Sequence, residues 1–375
     1  MSRFSYKLLL YLHLIQHPSP KFFTTVTSAR VSADKTSSFT VQYLINSCGF
    51  PLETALSTSQ KIQLDESCSH KHDSILSFLK SHGFSKTHIV KLLTRRPSVL
   101  QSSLEETLKP KIEFLLDIGF SGSALPNMLS SNPSILFRSL DDHLKPSYEI
   151  LKTYLETKEK VLAAIRRSSW ILTFPLKQTL EPNVSLLIRE GVAIANISKL
   201  IMTQPRVVMQ STDRMPSIIR TVKKLGIPPS STMFLHSVHV MTSMSESTWN
   251  RKMEAFKSFG WSEEQILLAF KQNPFCLACS EKKLNRAMDF FVNTMKLEPS
   301  LIISHPKLIM HALDTWVKPR YMVLKVLHSK KLIRSDTNFI AAILRKKSSF
   351  LATYVNKNLD QVPYLMDVYH GCISN

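Results

Sequence analysis

Three lysines in this chain stand directly before a proline: Lys109, Lys145 and Lys318. Proline is favoured at the first position of a helix, because the N–H that it lacks would be unpaired there anyway. The pattern therefore predicts a helix start beside each lysine. Free N–H groups at a helix start, together with an adjacent ammonium group, can cradle a phosphate. These lysines are candidates for binding a polyanion backbone, and solvated lysines that recur by chance are the alternative.

A second group of basic residues flanks the breaks at which other helices are predicted to end. Its members are Arg95, Arg96, Arg166, Arg167 and Arg206. A cation at the end of a helix also complements the helix dipole, so a structural role is the alternative for this group. Position alone adds four weaker candidates for phosphate contact. These are Arg138, Arg251, Lys252 and Arg320.

Other kinds of site have little support. Cys276-x-x-Cys279 looks like half of a zinc or redox site, but it occupies an apolar slot and is predicted to pack in the core. Cys68-Ser-His70-Lys-His72 has no fourth ligand at a fitting distance, so a polar loop is expected. No glycine-rich phosphate loop, carboxylate pair or Ser-His-Asp arrangement stands out. We therefore expect no metal, no cofactor and no enzymatic activity.

The balance of charge favours a polyanionic partner. Lys and Arg number 48 against 28 Asp and Glu, which gives a net charge of +20, and nucleic acid is the usual partner of such an excess. A basic protein whose charge only aids solubility is the alternative. Aromatic residues such as Phe114 and Phe290 fall at core-facing positions, so base stacking is not expected. Five scattered cysteines indicate a reducing compartment rather than a disulfide framework.

The elements that position these residues recur along the chain. Pro97, Pro133, Ser169 and Pro205 follow one another at a step of 36 residues (97 to 133, 133 to 169, 169 to 205). Similar apolar openings stand at Val238, Pro274, Pro306 and Ser349. A step of this length indicates a helical array. The periods must stack on one another, because two short helices cannot bury their apolar faces alone.

Each period is predicted to hold two helices. Corresponding first helices are predicted to start at Pro110, Pro146, Pro182, Pro216 and Pro319. Six of the eight glycines mark helix ends: Gly49, Gly83, Gly119, Gly191, Gly226 and Gly260. A left-handed glycine followed by an apolar residue is a common helix stop. Lys296 and Lys331 keep the spacing where glycine is missing, and a second helix is predicted from about 123 to 132.

The two ends of the chain differ from the array. Residues 1–37 are basic and rich in hydroxyl groups, with no acidic residue before Asp34, which is the composition of an organellar transit peptide. The apolar run at 8–15 raises a secretory signal as the rival, but it is interrupted by His13 and too short to span a membrane. Its basic flanks favour the mitochondrion over the chloroplast. Residues 38–375 are predicted to form about eight repeats, with a basic, irregular cap from about 330.

The periods resemble those of the mitochondrial transcription termination factor family. They contain Pro-x-[Val/Ile/Leu]-Leu, then Leu-x-Pro thirteen residues on, then [Ile/Leu]-Gly-[Phe/Val], and Phe39-Thr-Val-Gln-Tyr-Leu44 is similar to the start of plant members. The likeness covers roughly residues 38–370 and departs at Val238, Ser169 and Ser349, where the opening proline is absent. It implies an all-α, right-handed helical-repeat solenoid with two α-helices and a short 3-10 turn per repeat. It also implies a positive groove for double-stranded nucleic acid and residence in mitochondria or chloroplasts.

Charge and resemblance together predict a monomeric organellar protein that binds nucleic acid, not membrane, and regulates gene expression. Duplex DNA binding in transcription termination or regulation is the leading hypothesis. Structured-RNA binding in intron splicing or ribosome assembly is the first alternative, and a scaffold that holds another protein is the second. The pentatricopeptide array, which reads single-stranded RNA, is disfavoured because its polar recognition pair does not recur.

Overall fold

The computed structural model of the chain describes residues 39–372. Most of these residues are helical, and none of them forms a β-strand. The predicted fold class, an all-α helical-repeat solenoid, is confirmed. The predicted transit peptide at 1–37 lies outside the described residues.

The helices are short, as the repeat predicts. The α-helices comprise 39–46, Leu52–Ser59, Ser69–Ser81, Lys86–Arg95, Lys109–Asp117, Ala124–Ser131, Lys145–Leu155, Lys158–Arg167, Leu176–Arg189, Ile194–Thr203, Arg214–Lys224, Phe234–Thr242, Glu246–Lys257, Glu263–Gln272, Glu281–Asp289, Pro299–Ser304, Lys307–Met310, Lys318–Ser329, Phe339–Ile343, Lys347–Phe350 and Leu365–His370. The 3-10 helices comprise Glu66–Cys68, Pro97–Gln101, Pro133–Phe137, Ser169–Thr173, Pro205–Val207, Pro274–Cys276 and Asn356–Asn358. Five π-helical turns comprise Leu104–Leu108, Leu140–Leu144, Phe290–Thr294, Leu313–Val317 and Leu351–Val355 among the described residues.

The chain divides into two compact units, Met1–Leu136 and Phe137–Asn375. In the first unit, helix Lys86–Arg95 packs against Ala124–Ser131, the second helix of the next period. In the second unit, Lys158–Arg167 packs in the same way against Ile194–Thr203. The second helices of consecutive periods therefore stack, which is how each period covers the apolar face of its neighbour.

The predicted glycine stops are confirmed. All six glycines have a positive φ, from 76° at Gly226 to 110° at Gly119. At Gly119, the N–H of the following Phe120 donates to the carbonyl of Leu115 at 2.9 Å, the bond that closes a Schellman stop. Lys296 and Lys331 also adopt a positive φ, as their spacing predicts.

The predicted α-helix starts are confirmed at Pro110, Pro146 and Pro319, each the second residue of its α-helix, and Pro216 is the third residue of Arg214–Lys224. Helical backbone nevertheless precedes three of these starts. The π-helical turn Leu104–Leu108 runs directly into the α-helix Lys109–Asp117, so the helical backbone begins five residues before Lys109. Proline inside a helix lacks an N–H, and its ring collides with the carbonyl four residues earlier. A wide π turn just before Pro110 accommodates both effects. The same turn precedes Pro146 and Pro319, whereas Pro182 lies inside the helix Leu176–Arg189.

The short 3-10 turn implied for each repeat is present at five predicted openings, residues 97, 133, 169, 205 and 274. At the other three openings the structure has α-helix instead: Val238 and Ser349 lie inside α-helices, and Pro306 directly precedes one. We call the five 3-10 segments the proline turns. Pro97 and Pro133 are buried at the start of their turns, and the residue before each is too extended to continue the preceding helix. Each turn ends with carbonyl groups that its own short helix cannot satisfy.

Side-chain donors near the start of one first helix reach the segment that opens the next period. Lys111 Nζ donates to the carbonyl of Leu136 at 2.7 Å in the first unit. In the second unit, Asn183 Nδ2 donates to the carbonyls of Val208 at 3.0 Å and Gln210 at 2.7 Å. Lys111 and Asn183 are both buried. Their polar ends therefore serve the protein's own backbone.

These contacts form a series that we call the inter-repeat ties. Further members join His72 to Leu100, His143 to Leu172, Arg214 to Met244, Lys252 to Cys279, Lys283 to Met310, and Arg320 to Ile343. Leaving a buried carbonyl unpaired costs about 1–3 kcal/mol. The ties therefore stabilise the stacking of neighbouring periods in a fixed register. Several of the donors are basic residues, which composition alone would count as available to a polyanionic ligand.

Candidate nucleic-acid interface

The lysines before the prolines are paired with carboxylates one helical turn earlier. Lys109 Nζ lies 2.9 Å from Glu105, Lys145 Nζ lies 2.6 Å from Asp141, and Lys318 Nζ lies 2.8 Å from Asp314. The hydrogen bond and charge of Glu105 raise the pKa of Lys109. Residues four apart on a helix are neighbours, and such pairs stabilise helices modestly. The recurrence of lysine at this position is explained by the pair.

The phosphate cradle predicted at these lysines is also wrong in its geometry. The backbone N–H groups of Lys109, Lys145 and Lys318 already donate to carbonyls five residues earlier, in the π-helical turns. Free N–H groups are what make a helix start an anion site. These three positions therefore offer only half-exposed ammonium groups.

Two further candidates are buried. Arg320 is fully buried, and its Nη1 donates to the carbonyls of Ile343 at 2.5 Å and Arg345 at 2.6 Å. Its guanidinium lies between the rings of Trp316 and Phe350, at 3.6 and 4.9 Å from their centroids. Burial lowers the pKa of Arg320. Arg320 is therefore not accessible to a nucleic acid, and the prediction made from its position is wrong.

Lys252, also predicted to contact a nucleic acid, is likewise inaccessible because it is buried. It is buried, and its ammonium donates to the carbonyl of Cys279 as one of the inter-repeat ties. Burial also lowers the pKa of Lys252. The neighbouring Arg251 is exposed, but its Nε lies 3.6 Å from a carboxylate oxygen of Glu281. Both side chains therefore already have a partner within the protein.

Arg95 and Arg96 connect neighbouring periods of the first unit. The guanidinium of Arg95 donates to the carbonyl of Ser131, at the end of the next second helix. Arg96 Nη2 lies 3.4 Å from Ser134 Oγ in the next proline turn. Both arginines remain exposed, so each has a structural contact and an accessible face.

The remaining arginines gather at one proline turn of the second unit, Ser169–Thr173. Arg166 and Arg167 end the helix before this turn, and both are exposed. Arg206, from the next period, lies over the ring of Trp170 in the turn, with its Cζ 5.5 Å from the ring centroid. We call this region the arginine turn. It comprises Ser169–Thr173 together with Arg138, Arg166, Arg167 and Arg206.

Arg138, in the preceding period, acts electrostatically on His143, whose ring bonds to a carbonyl of the arginine turn. Burial and, less strongly, the positive charge of Arg138 lower the pKa of His143. The hydrogen bond between His143 and the carbonyl of Leu172 opposes that shift. His143 Nε2 lies 3.0 Å from this carbonyl, inside the turn. Within residues 39–372, the exposed side chains of Arg138, Arg167 and Arg206 make no hydrogen bond or ion pair. Their guanidinium donors are available to a ligand.

Trp170 is the residue of this region that the sequence prediction missed. Its side chain is only partly buried, and the ring of Phe174, 40% exposed, meets it edge-on with centroids 5.4 Å apart. The expectation that aromatic residues face the core holds for Phe290, which is buried, but not here. A signal was present, because the corresponding positions of the two preceding periods hold Ser98 and Ser134.

Cys276 packs in the core as predicted, and Cys279 is partly buried beside it. Cys276 is buried, and this burial raises the pKa of its thiol to about 12. Cys279 Sγ lies 3.7 Å from the carbonyl of Ile309. No group of side chains within residues 39–372 could hold a metal ion. The polar loop expected at residues 68–72 is wrong, since helix Ser69–Ser81 begins there and buries His72.

The part of the chain that the structure describes has no helix long and apolar enough to cross a membrane. Its architecture defines a class of protein: an all-α array of helical repeats with a cluster of exposed arginines at one turn. A family model named mTERF matches residues 76–192 and 171–351. The chain therefore belongs to the mTERF family, as the sequence motifs predict.

One relative is the Arabidopsis thaliana protein named "Transcription termination factor MTERF8, chloroplastic". It is 22% identical to this chain over 278 residues, which cover 73% of this chain and 55% of the relative. The match thus spans about half the length of the relative.

Proposed function

We propose that this protein binds nucleic acid in an organelle and regulates gene expression there. The observation that carries the proposal is the arginine turn, where the exposed guanidinium groups of Arg138, Arg167 and Arg206 make no hydrogen bond or ion pair with a described protein group. Arginine presents a planar fork of donors that matches phosphate geometry. Membership of the mTERF family and the net charge of +20 support the same reading.

Within this proposal, duplex DNA is the leading ligand and transcription termination or regulation the leading role. The support is the name of the Arabidopsis relative, a transcription termination factor. Phosphate contacts position a protein on a nucleic acid without specifying its sequence, so the arginines fit structured RNA in splicing or ribosome assembly equally well. The protein acts as a monomer by occupying its ligand, without catalysis.

The proposed compartment is an organelle. The composition of residues 1–37 predicts import and favours the mitochondrion, whereas the name of the relative favours the chloroplast. Fusing residues 1–37 to a fluorescent protein in plant cells tests this directly. Fluorescence confined to one organelle identifies the compartment, and diffuse cytosolic fluorescence contradicts the proposal.

Two measurements test the binding proposal. Crosslinking in isolated organelles, followed by sequencing of the bound nucleic acid, is expected to recover discrete DNA or RNA sites. In vitro, three phosphate contacts predict that log affinity falls with log salt at a slope of about −3. An affinity that is flat with salt, together with no crosslinked nucleic acid, would refute the proposal.

A further inference from the structure

One glycine stop of the second unit differs in its surroundings from its counterparts in other periods. It is Gly191, where the first helix Leu176–Arg189 ends and the second helix Ile194–Thr203 follows. The residues three before, two after and three after this glycine are Ile188, Ala193 and Ile194, which we call the apolar corner. At Gly83 and Gly260 the same three positions hold Lys80, Ser85 and Lys86, and Lys257, Ser262 and Glu263.

The isoleucines of the apolar corner are not part of the core. Ile188 is 46% exposed and Ile194 is 45% exposed, and Ala193 is exposed as well. The core positions next to them are filled by Leu187 and Ile197, which are fully buried. An apolar side chain contributes to folding in proportion to the area that it removes from water. Burial within the fold therefore does not explain why isoleucine stands where other periods have charged residues.

The apolar corner also lacks a stabilising helix cap. Ser85 and Ser262 each accept a hydrogen bond from the third backbone N–H of their helix, whereas Ala193, in the same N-cap position, has no side-chain acceptor. Serine is among the most stabilising N-cap residues and alanine among the least. The residues of the apolar corner are therefore less favourable for folding than those of its counterparts, which points to a function.

We propose that the apolar corner and Arg189 form a docking surface for a partner protein that presents an apolar segment flanked by carboxylates. Exposed apolar patches with a polar rim mark interaction surfaces. Arg189 is exposed and makes no hydrogen bond or ion pair with a described residue. The carboxylate of Glu190 is already paired with Lys223, whose Nζ lies 2.7 Å away. The remaining charge at this surface is positive, which complements an acidic partner.

Other occupants fit this chemistry less well. A second copy of the chain would bring another net charge of +20 and the same positive surface, so like charges would oppose self-association. The outside of a nucleic-acid duplex is lined with phosphates, which two isoleucines cannot bind. The docking surface is therefore independent of the proposed function.

A triple variant, the corner swap, separates docking from folding. Ile188→Lys, Ala193→Ser and Ile194→Glu together reproduce the residues at Gly260, and the net charge stays at +20 because one lysine and one glutamate are added. The new serine restores an N-cap, so the melting temperature of the full chain should rise by about 1–2 °C. A lower melting temperature would show that the apolar corner serves the fold and would overturn the inference.

Site-specific crosslinking identifies the partner. The photoreactive residue p-benzoylphenylalanine replaces Ile194 in the full chain or, as the matched control, Glu263, which is the first residue of its own second helix. Each chain is irradiated in a nuclease-treated extract of the cells that express it. The chain labelled at 194 should crosslink to one defined protein, through a peptide with apolar residues beside Asp or Glu. Equal crosslinking from both positions, or crosslinking to a second copy of the chain, would contradict the proposal.

Binding of the purified partner decides between docking and chance capture. The corner swap should bind this partner roughly tenfold or more weakly than the wild-type chain does, and the two chains should bind duplex DNA alike. Equal affinity of both chains for the partner would refute docking at the apolar corner. Binding of the wild-type chain, but not of the corner swap, to vesicles that contain phosphatidylglycerol would assign the surface to a lipid and overturn the protein partner.

Discussion

Whether a basic side chain can bind a phosphate depends on what its donors already contact. Lys109 and Lys111 lie two residues apart on one helix, yet Lys109 pairs with an exposed carboxylate and Lys111 donates to a buried carbonyl. Their faces differ because a helix turns about 100° per residue. Lys111 shares its face with Leu108 and Leu115, both fully buried. The same periodicity places Arg320 beside Val317 and Leu324.

A helical projection of the sequence could therefore have separated the buried cations from the exposed ones. It could not have identified the acceptors. Each tie ends on a backbone carbonyl 23 to 30 residues further on, for example 23 for Arg320 and 30 for Arg214. A carbonyl is present at every residue and leaves no trace in residue type, so only the folded chain shows the pairing.

Arg320 is predicted to be irreplaceable by lysine. A lysine ammonium cannot reproduce the planar contact with Trp316 and Phe350 or hold two carbonyls in the same geometry. Arg320→Lys should lower the free energy of unfolding by about 2–3 kcal/mol, measured by urea denaturation. Arg189→Lys, at an exposed position, is the control and should change it little. Equal stability of the two variants would contradict a structural role for Arg320.

His311 predicts a fall in stability on acidification. Its ring stacks on Trp316 with centroids 4.7 Å apart, and burial, then the charges of Arg320, Lys283 and Lys307, lower its pKa in the folded protein. The unfolded state then binds a proton more readily than the folded state. The contribution of neutral His311 to the free energy of unfolding is therefore complete above the unfolded pKa of about 6.5. It is lost as pH falls through the pKa of His311 in the folded protein.

The melting temperature should accordingly decrease between about pH 7 and pH 5. His311→Phe keeps an aromatic ring against Trp316 and removes the titrating group, so its melting temperature should vary less over that range. His305→Phe, at a partly buried histidine six residues away, is the control. A wild-type and a His311→Phe profile that coincide would assign the pH dependence to other groups.

At the scale of the element, helix stops are the part of the fold most visible in the sequence. A positive φ is disfavoured for every residue with a Cβ, so the requirement selects glycine directly. Lys296 and Lys331 are the exceptions, and their spacing alone predicted their conformation. The π turns before Pro110, Pro146 and Pro319 were not predicted, because a proline at the start of a helix and a proline after a wide turn look alike in sequence.

Opposite substitutions at two helix stops, Gly191→Ala and Lys331→Gly, are predicted to change stability in opposite directions. Gly191 has a φ of +89° with no atom near the position of a Cβ, so Gly191→Ala should destabilise by backbone strain alone, by about 1 kcal/mol. Lys331, at a φ of 58°, already bears that strain, so Lys331→Gly should stabilise by a similar amount. Thermal unfolding of both variants measures the two signs. Two shifts of the same sign would mean that these positions are not equivalent stops.

The inter-repeat ties can be tested at Asn183, whose amide is neutral and free of charge effects. Asn183→Leu leaves the buried carbonyl of Val208 and the partly buried carbonyl of Gln210 without this donor and should cost about 2–3 kcal/mol of unfolding free energy. Asn196→Leu makes the same chemical change at an exposed position and is the control. Urea denaturation compares the two. A cost no larger at Asn183 than at Asn196 would show that the ties do not stabilise the array.

At the scale of the whole molecule, a net charge of +20 indicates a polyanionic partner but not where it binds. Some of the basic residues are internal to the fold, as Lys111, Lys252 and Arg320 show. Others are neutralised nearby by carboxylates. The charge available to a ligand is therefore uneven over the surface, which composition cannot reveal.

Two triple variants of equal charge separate site from net charge. Replacing Arg138, Arg167 and Arg206 with glutamine, or Lys109, Lys145 and Lys318 with glutamine, lowers the net charge to +17 in both cases (20 minus 3). The arginine variant should reduce the steepness of the salt dependence by about 3, roughly one unit per lost phosphate contact. The lysine variant should reduce it far less, because those lysines already pair with carboxylates on the same helix. If both variants changed the slope of log affinity against log salt equally, binding would depend on the net charge of the molecule. The arginine turn would then not be the interface.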